Sequence, residues 1–443
     1  MTKARMDGAI LVFLGASVLF LLSSYMLATK DGNKFQDFRH EYYAARCLLS
    51  GQDLYNPAAM YHTYSVDEAA RPPVGAEDRL VLTHIIYPPS SFAVTIPFAL
   101  MPWQSARVLW LFASSGGLLF VSFLILDLVP NHAATMAGAL IGLLLINTEV
   151  LIALANPSAI AISLCLCAVW TFLRDRYAIT GVLCLALSLA LKPQLVGFIW
   201  LYFLLAGGKL RKRAIQALLV TVAISIPTTV YLTHIAPNWP NELRSNLQIY
   251  TNHGGLDNPA SRLAGHERLD LQVIVSYFKD VPAFYKSVSF LIFLPLLSVW
   301  VASILRAPSS LENHLLALAA TAPLTLLPVI HHPYDSKLFL LMVPATAWLW
   351  TRTKWLGRIS CLLTAATFLA TGDISSSVWS LILRSVPEAP GSIANSLMDA
   401  TMALTAPVVV LGSCIFFLWL YWRGARTTVA LSSHVTATEA GSV

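Results

Sequence analysis

Charge is what this chain has least of. Only 12% of its 443 residues are Asp, Glu, Lys or Arg, whereas 56% are hydrophobic and the mean hydropathy is +0.65. Soluble domains carry about 25% charged residues, because a water-exposed surface needs them. The scarcity of charge excludes a soluble globular protein and indicates a membrane protein.

Cysteine is scarce as well, at six residues, and its placement excludes a disulfide framework. One of the six, Cys47, lies in a polar segment. The other five fall in apolar runs: Cys165, Cys167, Cys184, Cys361 and Cys414. The formal net charge of +6 does not require a nucleic-acid partner, because most Lys and Arg residues lie in short loops between apolar runs.

Long apolar runs, rather than charged residues or cysteines, characterise the chain. Continuous runs of about 17–25 residues predict transmembrane helices, whereas a barrel would show weak alternating segments. The sequence therefore predicts an all-α polytopic membrane protein. The first run, residues 9–28, follows Lys3 and Arg5 and is longer than the apolar region of a signal peptide. We expect it to be an uncleaved span with a cytoplasmic N-terminus.

Placing the basic clusters on the cytoplasmic side predicts about 12 crossings. Residues 1–426 then form one transmembrane domain with long outer segments at 30–102 and 233–270, and residues 427–443 form a disordered cytoplasmic tail rich in Ser, Thr and Ala. Residues 87–102 are apolar but short and bounded by prolines. We expect them to be re-entrant or interfacial on the outer side. If they crossed, every later assignment of side would invert.

Ionisable residues next to predicted spans are the main functional signal, because each costs about 2.5–3.5 kcal/mol at the centre of a membrane. Those at predicted outer ends are Asp37, Arg39, His40, Glu41, Glu149, Lys192, His331, His332, Asp335 and Lys337. The predicted inner ends carry Lys and Arg clusters that topology alone explains. An active surface, if the protein has one, is expected to face outward.

Asp37 begins a predicted interfacial helix in the stretch KFQDFRHEYYAARCLLSGQDLY, residues 34–55. Two interpretations remain open for its carboxylate. It is either an N-cap that accepts backbone hydrogen bonds, or a catalytic base. The two are compatible, because a carboxylate at a helix N-terminus stays ionised. Glu41, four residues on and on the same helical face, is the alternative base.

Two short motifs supply further polar groups at predicted outer ends. In LKPQL, residues 191–195, Lys192 either extends to lipid headgroups or binds a phosphate, and Gln194 donates to a phosphate or sugar oxygen. In LANPSA, residues 153–158, Asn156 either forms a turn or offers its amide to a sugar hydroxyl.

The stretch VIHHPYDSKLFLL, residues 329–341, places His331, His332, Asp335 and Lys337 within seven residues. Adjacent histidines do not share a helical face as the i, i+4 zinc pairs do. We therefore favour a phosphate-and-sugar-binding turn, or a polar turn capped by Asp335, over a metal site. No metal or other cofactor is expected.

The block FQDF, YYAARCLLSGQDLY and YPPSSF, with Tyr87 at the start of the last, resembles glycosyltransferase family 87. The later LKPQ and HPYD elements are similar to features of that family. The resemblance implies the GT-C membrane fold, with interfacial helices in the first outer loop. It also implies the activity of a bacterial polyprenyl-phosphate-sugar-dependent mannosyltransferase.

The resemblance further implies that Asp37 is the general base of an inverting transfer. Arg39, His40, Glu41 and Tyr87 are then expected to bind substrate, with the residues of the later motifs. Some relatives carry a histidine directly after the Asp of the late motif, whereas here Ser336 follows Asp335. Whether His331 or His332 takes that role stays open.

Chemistry at the outer face of a bacterial cytoplasmic membrane limits the donor, because nucleotide sugars are not supplied there. We expect a hexose, with mannose as the first candidate, to pass from a polyprenyl phosphate to a lipid-linked or glycan acceptor. The membrane lipids are expected partners as well. Asp37 would contribute about 10²–10⁴-fold as a base, with Lys192, Arg39 and the histidines facing the phosphate. The alternatives are a transporter or lipid flippase, which would show related halves and polar residues at mid-membrane, and a non-catalytic subunit.

Overall fold

The computed structural model describes residues 13–23, 26, 35–67, 76–255, 257–261, 268–375, 377–378, 381 and 393–440. In these ranges the chain forms helices and short connections, with no strand. The all-α class is therefore confirmed for the described residues. Part of the predicted first span, residues 9–12, 24–25 and 27–28, lies outside them.

The helices divide into an N-terminal group and the remainder of the chain. The first group is α1 (Phe13–Ser23), α2 (Gln36–Leu49), α3 (Pro57–Val66), α4 (Ala76–Thr83) and α5 (Pro89–Ala99). Next come α6 (Trp103–Asp127), α7 (Ala134–Ile146), α8 (Glu149–Leu154), α9 (Ser158–Leu173), α10 (Ala178–Leu191), α11 (Pro193–Ala206), α12 (Gly208–Ile235) and α13 (Trp239–Thr251). The last are α14 (Leu271–Phe278), α15 (Pro282–Arg306), α16 (Leu311–Leu326), α17 (Met342–Arg352), α18 (Lys354–Ala370) and α19 (Ile393–Ala440), with 3-10 helices at Asn131–Ala133 and Pro333–Leu341.

Four helices in the described part of the chain are long and apolar enough to cross a membrane. They are α6, α12, α15 and the segment Ala400–Ala425 of α19. Other apolar helices are shorter. Helix α9 has 16 residues and rises about 24 Å at 1.5 Å per residue, against a hydrocarbon thickness of about 30 Å. The chain has the helices of a membrane protein, and the count of about 12 crossings stays a prediction.

Helix α5 occupies the proline-bounded segment that we expect not to span. Its 11 residues rise about 16 Å, roughly half of the hydrocarbon thickness. It packs against α2, α10 and α12. A short helix held against three others fits a re-entrant or interfacial position.

The predicted run 133–153 is two helices rather than one, because α7 ends at Ile146 and α8 begins at Glu149. Asn147 lies at the break and is fully buried. Its amide donates to the carbonyl of Phe368 at 2.5 Å and accepts from the Ile374 backbone N–H at 2.7 Å. An asparagine that satisfies backbone groups of another segment interrupts the apolar run.

Two apolar cores meet within the molecule. The smaller core belongs to α2, α3, α5 and the start of α6, and it is rich in Phe, Tyr and Trp. The larger core is built by the later helices. The start of α9 lies at their junction, because Ala155 belongs to the first core and Ala159 to the second.

The far end of α9 carries a different set of polar contacts. Arg174 pairs with Asp127 at 2.9 Å, and Lys209 pairs with Asp175 at 2.8 Å. These pairs are half-exposed or exposed. They involve the basic clusters that the topology prediction places inside.

The last helix continues to Ala440. It thus runs through most of residues 427–443, for which the polar composition predicts disorder. The apolar part that is long enough to cross a membrane ends at Ala425. The division of the chain into one transmembrane domain and a tail stays a prediction.

Candidate active site

The first turn of α2 is fixed against the connection between α8 and α9. Phe35 has a left-handed backbone conformation with φ 64°, and its N–H donates to the carbonyl of Ala153 at 2.8 Å. Three residues on, the Phe38 ring stacks on Trp110 with centroids 4.3 Å apart. The indole of Trp110 donates to the carbonyl of Ala155 at 2.9 Å. These contacts place Asp37, which directly precedes Phe38, beside the start of α9.

Asp37 meets Asn156 at this point. The Asn156 amide N–H donates to Oδ2 of Asp37 at 2.6 Å, while its Oδ1 accepts the backbone N–H of Ser158 at 2.9 Å. Because the amide oxygen is already engaged by the start of α9, the amide nitrogen must point to Asp37. Asn156 is buried, whereas the Asp37 side chain is partly accessible.

Asp37 is not the N-cap of its helix, so that interpretation is wrong. The N-cap position is Phe35, and no side chain caps the helix there. The carboxylate points instead to another segment of the chain. What orients it is a hydrogen bond from a residue 119 positions away.

A buried polar network continues from Asn156. The Ser158 hydroxyl lies 2.6 Å from Asn156 Oδ1 and 2.6 Å from Asp335 Oδ1. The Lys192 ammonium donates to Ser158 Oγ at 2.6 Å and to Asp335 Oδ1 at 2.7 Å. Three separate segments of the chain thus share one set of hydrogen bonds, and Asn156 connects that set to Asp37.

Local sequence explains why Lys192 and Asp335 each lie at a helix terminus. Lys192 is the single residue between α10 and α11, and its backbone, with φ −146° and ψ 74°, lies outside the helical region that the following Pro193 disfavours. Asp335 lies in the first turn of the 3-10 helix, where its side chain also accepts the His332 backbone N–H at 3.5 Å. The predicted capping role of Asp335 is confirmed, and it coexists with the ion pair.

The two adjacent histidines turn to different carboxylates. His331 is fully buried, and its Nδ1 lies 2.8 Å from Asp335 Oδ2. His332 is partly accessible, and its Nε2 lies 3.5 Å from Oδ1 of Asp257 in the second long loop. The His332 ring also stacks on Tyr334, with centroids 5.1 Å apart.

The two site carboxyl groups have opposite electrostatic surroundings. Burial raises the pKa of Asp335, but Lys192 and His331 outweigh it and hold the pKa well below its usual range. Burial dominates at Asp37 and raises its pKa, although the Asn156 hydrogen bond and the Lys192 charge lower it in part. Asp335 is therefore a fixed negative charge, and Asp37 is the carboxylate that more readily takes up a proton.

Aromatic rings line the accessible side of this network. Tyr87 and Tyr334 are partly accessible, and Lys192 Nζ lies 4.9 Å above the Tyr334 ring. Tyr87 is held at its carbonyl by the Tyr55 hydroxyl at 2.7 Å. Aromatic faces beside a carboxylate provide a surface on which the apolar face of a sugar ring can stack.

His40 and Glu41 lie behind Asp37 rather than beside it. Both are buried, and the Thr95 hydroxyl contacts Glu41 Oε2 at 3.0 Å. Burial lowers the pKa of His40 to about 3 and raises that of Glu41 to about 8. Glu41 is fully buried, whereas Asp37 is partly accessible, which favours Asp37 over Glu41 as the base.

Besides His40 and Glu41, four further residues at predicted outer ends do not join the network. The Arg39 guanidinium lies 5.6 Å above the Trp103 ring, on another side of α2. Gln194 and Glu149 are exposed. Lys337 is buried, and its ammonium donates to the carbonyl of Asn147 at 2.6 Å, where it joins α7 to the 3-10 helix.

Three residues of the site have no role in the sequence analysis. Ser158 follows Asn156 by two positions, and the NPS order is a local signal for the turn that joins them. Tyr334 lies inside the HPYD element. Asp257 lies in a loop of generic composition, and only the folded chain brings it to His332.

Comparisons with known proteins support one family. A family model described as glycosyltransferase family 87 matches residues 85–330, which is more than half of the chain. No curated protein and no solved structure matches the chain. In the described residues, no group of three or more His, Cys, Asp or Glu side chains is placed to hold a metal ion.

Proposed function

Because the chain belongs to glycosyltransferase family 87, we propose that it transfers a hexose, mannose above others, from a polyprenyl phosphate to a lipid or glycan acceptor. Asp37 is the general base of this reaction. The observation that carries the proposal is the Asp37 carboxylate, which is partly accessible while its Oδ2 is held by Asn156 at 2.6 Å.

The reaction is an inverting single displacement. An acceptor hydroxyl gives its proton to Asp37 as its oxygen attacks the anomeric carbon, and the bond to the phosphate oxygen breaks. A pKa raised by burial suits this role, because a base works best with a pKa near the working pH. Positive charge develops near the ring oxygen, where a neighbouring carboxylate stabilises it.

The buried residues hold the base rather than the substrate. Lys192, Ser158 and Asp335 satisfy one another, and Asn156 transmits their position to Asp37. Tyr87 and Tyr334 form the accessible wall on which the sugar stacks. This division of roles assigns Asn156 and Lys192 to positioning and leaves Gln194, Arg39 and Lys337 outside the reaction centre.

The site faces the periplasm in this proposal. The network lies at the start of α9, and the basic pairs of Arg174 and Lys209 lie at its other end. The positive-inside bias places the basic end in the cytoplasm. A donor held in the membrane by its polyprenyl chain reaches a site at the opposite surface.

Transfer in proteoliposomes tests the proposal. The full chain is incubated with a panel of radiolabelled polyprenyl-phosphate hexoses and pentoses, and release of polyprenyl phosphate is measured together with glycosylated product. Asp37→Asn should lower the rate about 10²–10⁴-fold. Glu41→Gln is the matched control on the same helix and should keep most of the activity.

Two results would contradict the proposal. Near-normal turnover of Asp37→Asn would show that Asp37 is not the general base. Movement of the intact donor across the bilayer, with no release of polyprenyl phosphate, would indicate a lipid flippase.

A further inference from the structure

The Tyr87 half of the accessible wall lies in a segment without regular secondary structure, and the following inference rests on the proposed function. Residues 84–88 belong to neither α4 nor α5, and Tyr87 is followed by two prolines, which have no backbone N–H. Beyond them, the Ser90 hydroxyl donates to the carbonyl of Ala190 at 2.8 Å and holds this end of the segment against α10. Contacts from elsewhere in the chain therefore decide where the Tyr87 ring lies.

Tyr55 is the direct support of Tyr87. Its hydroxyl donates to the carbonyl of Tyr87 at 2.7 Å. The Tyr55 side chain is fully buried, and its ring stacks on Trp239 of α13, with centroids 5.8 Å apart. A hydroxyl on a ring that is packed in this way has a fixed position, so it also fixes the backbone from which the Tyr87 side chain extends.

Asn246 of α13 joins Tyr55 to the segment that carries Tyr87. It is buried, and its amide nitrogen donates to the carbonyl of Tyr55 at 3.0 Å and to the carbonyl of Ile85 at 3.1 Å. An amide nitrogen has two hydrogens, so these two bonds use its whole donor capacity. One side chain of α13 thus connects two parts of the chain that lie 191 and 161 positions before it.

We propose that Asn246 and Tyr55 are positioning residues that hold the Tyr87 ring in place for the transferred hexose. The predicted outer segment 233–270, to which α13 belongs, thereby contributes to recognition of the donor sugar. A ring that stacks on a sugar must present its face at the correct distance and angle. Loss of either support lets the Tyr87 ring move and weakens that contact.

The base and the wall have separate supports. Asp37 is held by the Asn156 amide at 2.6 Å, whereas Tyr87 is held through Tyr55 and Asn246. A change at Tyr55 or Asn246 therefore disturbs the contact with the sugar and leaves the base in place. Stacking on the hexose is made in the bound donor and in the transition state alike, so its loss raises KM and leaves kcat unchanged.

The test measures KM and kcat for polyprenyl-phosphate [14C]mannose in proteoliposomes with Tyr55→Phe, Asn246→Ala, Tyr87→Ala and the double variant Tyr55→Phe/Tyr87→Ala. Tyr55→Phe keeps the stack on Trp239 and removes only the hydroxyl, so it should raise KM about threefold to tenfold at unchanged kcat. Asn246→Ala should raise KM at least as much. In the Tyr87→Ala background, Tyr55→Phe should have no further effect, because the ring that it positions is gone.

Tyr285→Phe is the matched control, because Tyr285 is fully buried and its hydroxyl has no hydrogen-bond partner in the described part of the chain. It should leave both KM and kcat unchanged. A purely structural role of Tyr55 would give a different result from positioning. An unfolded fraction lowers kcat per mole of protein, while the folded fraction keeps the wild-type KM.

The positioning role is overturned if Tyr55→Phe and Asn246→Ala keep the wild-type KM, or if they lower kcat alone. It is also overturned if the losses of Tyr55→Phe and Tyr87→Ala multiply in the double variant. A wild-type protein that releases no polyprenyl phosphate from any donor would instead overturn the proposed function.

Discussion

The ammonium of Lys192 lies 2.7 Å from Oδ1 of Asp335, although 143 positions separate them in the chain. Both side chains are nearly inaccessible, with 6% and 2% of their surface exposed. An ion pair removed from water contributes little net stability when intact, but loss of one partner strands the other charge. The pair therefore joins the α10–α11 break to the 3-10 helix. Replacement of either residue alone by a neutral one is expected to destabilise the protein.

Lys192→Met should destabilise the protein by about 3–5 kcal/mol, because Asp335 would be left buried without a cation. The measurement is thermal unfolding of the purified protein in detergent. Lys209→Met is the control, since it breaks an ion pair whose side chains are 78% and 50% exposed and should cost about 0–1 kcal/mol. Equal melting temperatures for the two variants would argue against a buried pair.

Asn156→Ala should shift the acid limb of kcat/KM to higher pH. Its hydrogen bond lowers the pKa of Asp37 against the effect of burial. Without that bond the pKa rises further, and the base becomes protonated at a higher pH, by about one to two units. A pH series of initial transfer rates measures the shift. Asn241→Ala, on the exposed face of α13, is the control and should not move the acid limb. If the acid limb also stays in place in Asn156→Ala, the Asn156 hydrogen bond does not influence the pKa of Asp37.

The sequence predicts which residues form this site better than it predicts which of them contact one another. Scarcity of charge makes each ionisable residue at a span end conspicuous, and Asp37, Lys192 and Asp335 are found for that reason. The contact between Asp37 and Asn156 is not predictable, because it depends on how two apolar cores pack against each other. Asp257 is missed for the same reason, since loop composition carries no information about a partner 75 positions on, His332.

The sequence is also a poor guide to where apolar runs break. The run 133–153 looks continuous, because the three polar residues Asn147, Thr148 and Glu149 inside it change the average hydropathy little. In the fold, Asn147 satisfies backbone groups near the end of α18 and separates α7 from α8. Buried polar groups are placed by their partners, and those partners are distant in sequence.

Gly372→Ala should destabilise the packing of Asn147 against the end of α18. A Cβ added at Gly372 would overlap the Asn147 side-chain amide, which donates to the Phe368 carbonyl. Because that amide is buried and engaged, it cannot move without losing its bonds, and the cost should be about 1–3 kcal/mol. Gly412→Ala is the control, since an added Cβ there meets no atom within 4 Å. Thermal unfolding that ranks the two variants equally would contradict a tight contact at Gly372.

Glu41→Gln should make stability less dependent on pH while preserving transfer near neutrality. The Thr95 hydroxyl lies 2.9 Å from the Ser91 carbonyl and 3.0 Å from Glu41 Oε2. The hydroxyl has one hydrogen, so it donates either to Glu41 Oε2 or to the Ser91 carbonyl. Burial raises the pKa of Glu41 from 4.5 to about 8, although the hydrogen bond from Thr95 lowers it in part.

The sign of the pH effect follows from this shift. The folded state binds a proton at Glu41 that the unfolded state releases above its pKa of 4.5. The contribution of Glu41 to stability is therefore fully present below pH 4.5 and is lost progressively as the pH rises through about 8. Glutamine resembles the protonated acid in shape and does not titrate, so the melting temperature of wild type should fall relative to Glu41→Gln across that interval. Parallel melting curves for the two proteins would mean that Glu41 is already ionised in the fold, beside the Asp37 carboxylate.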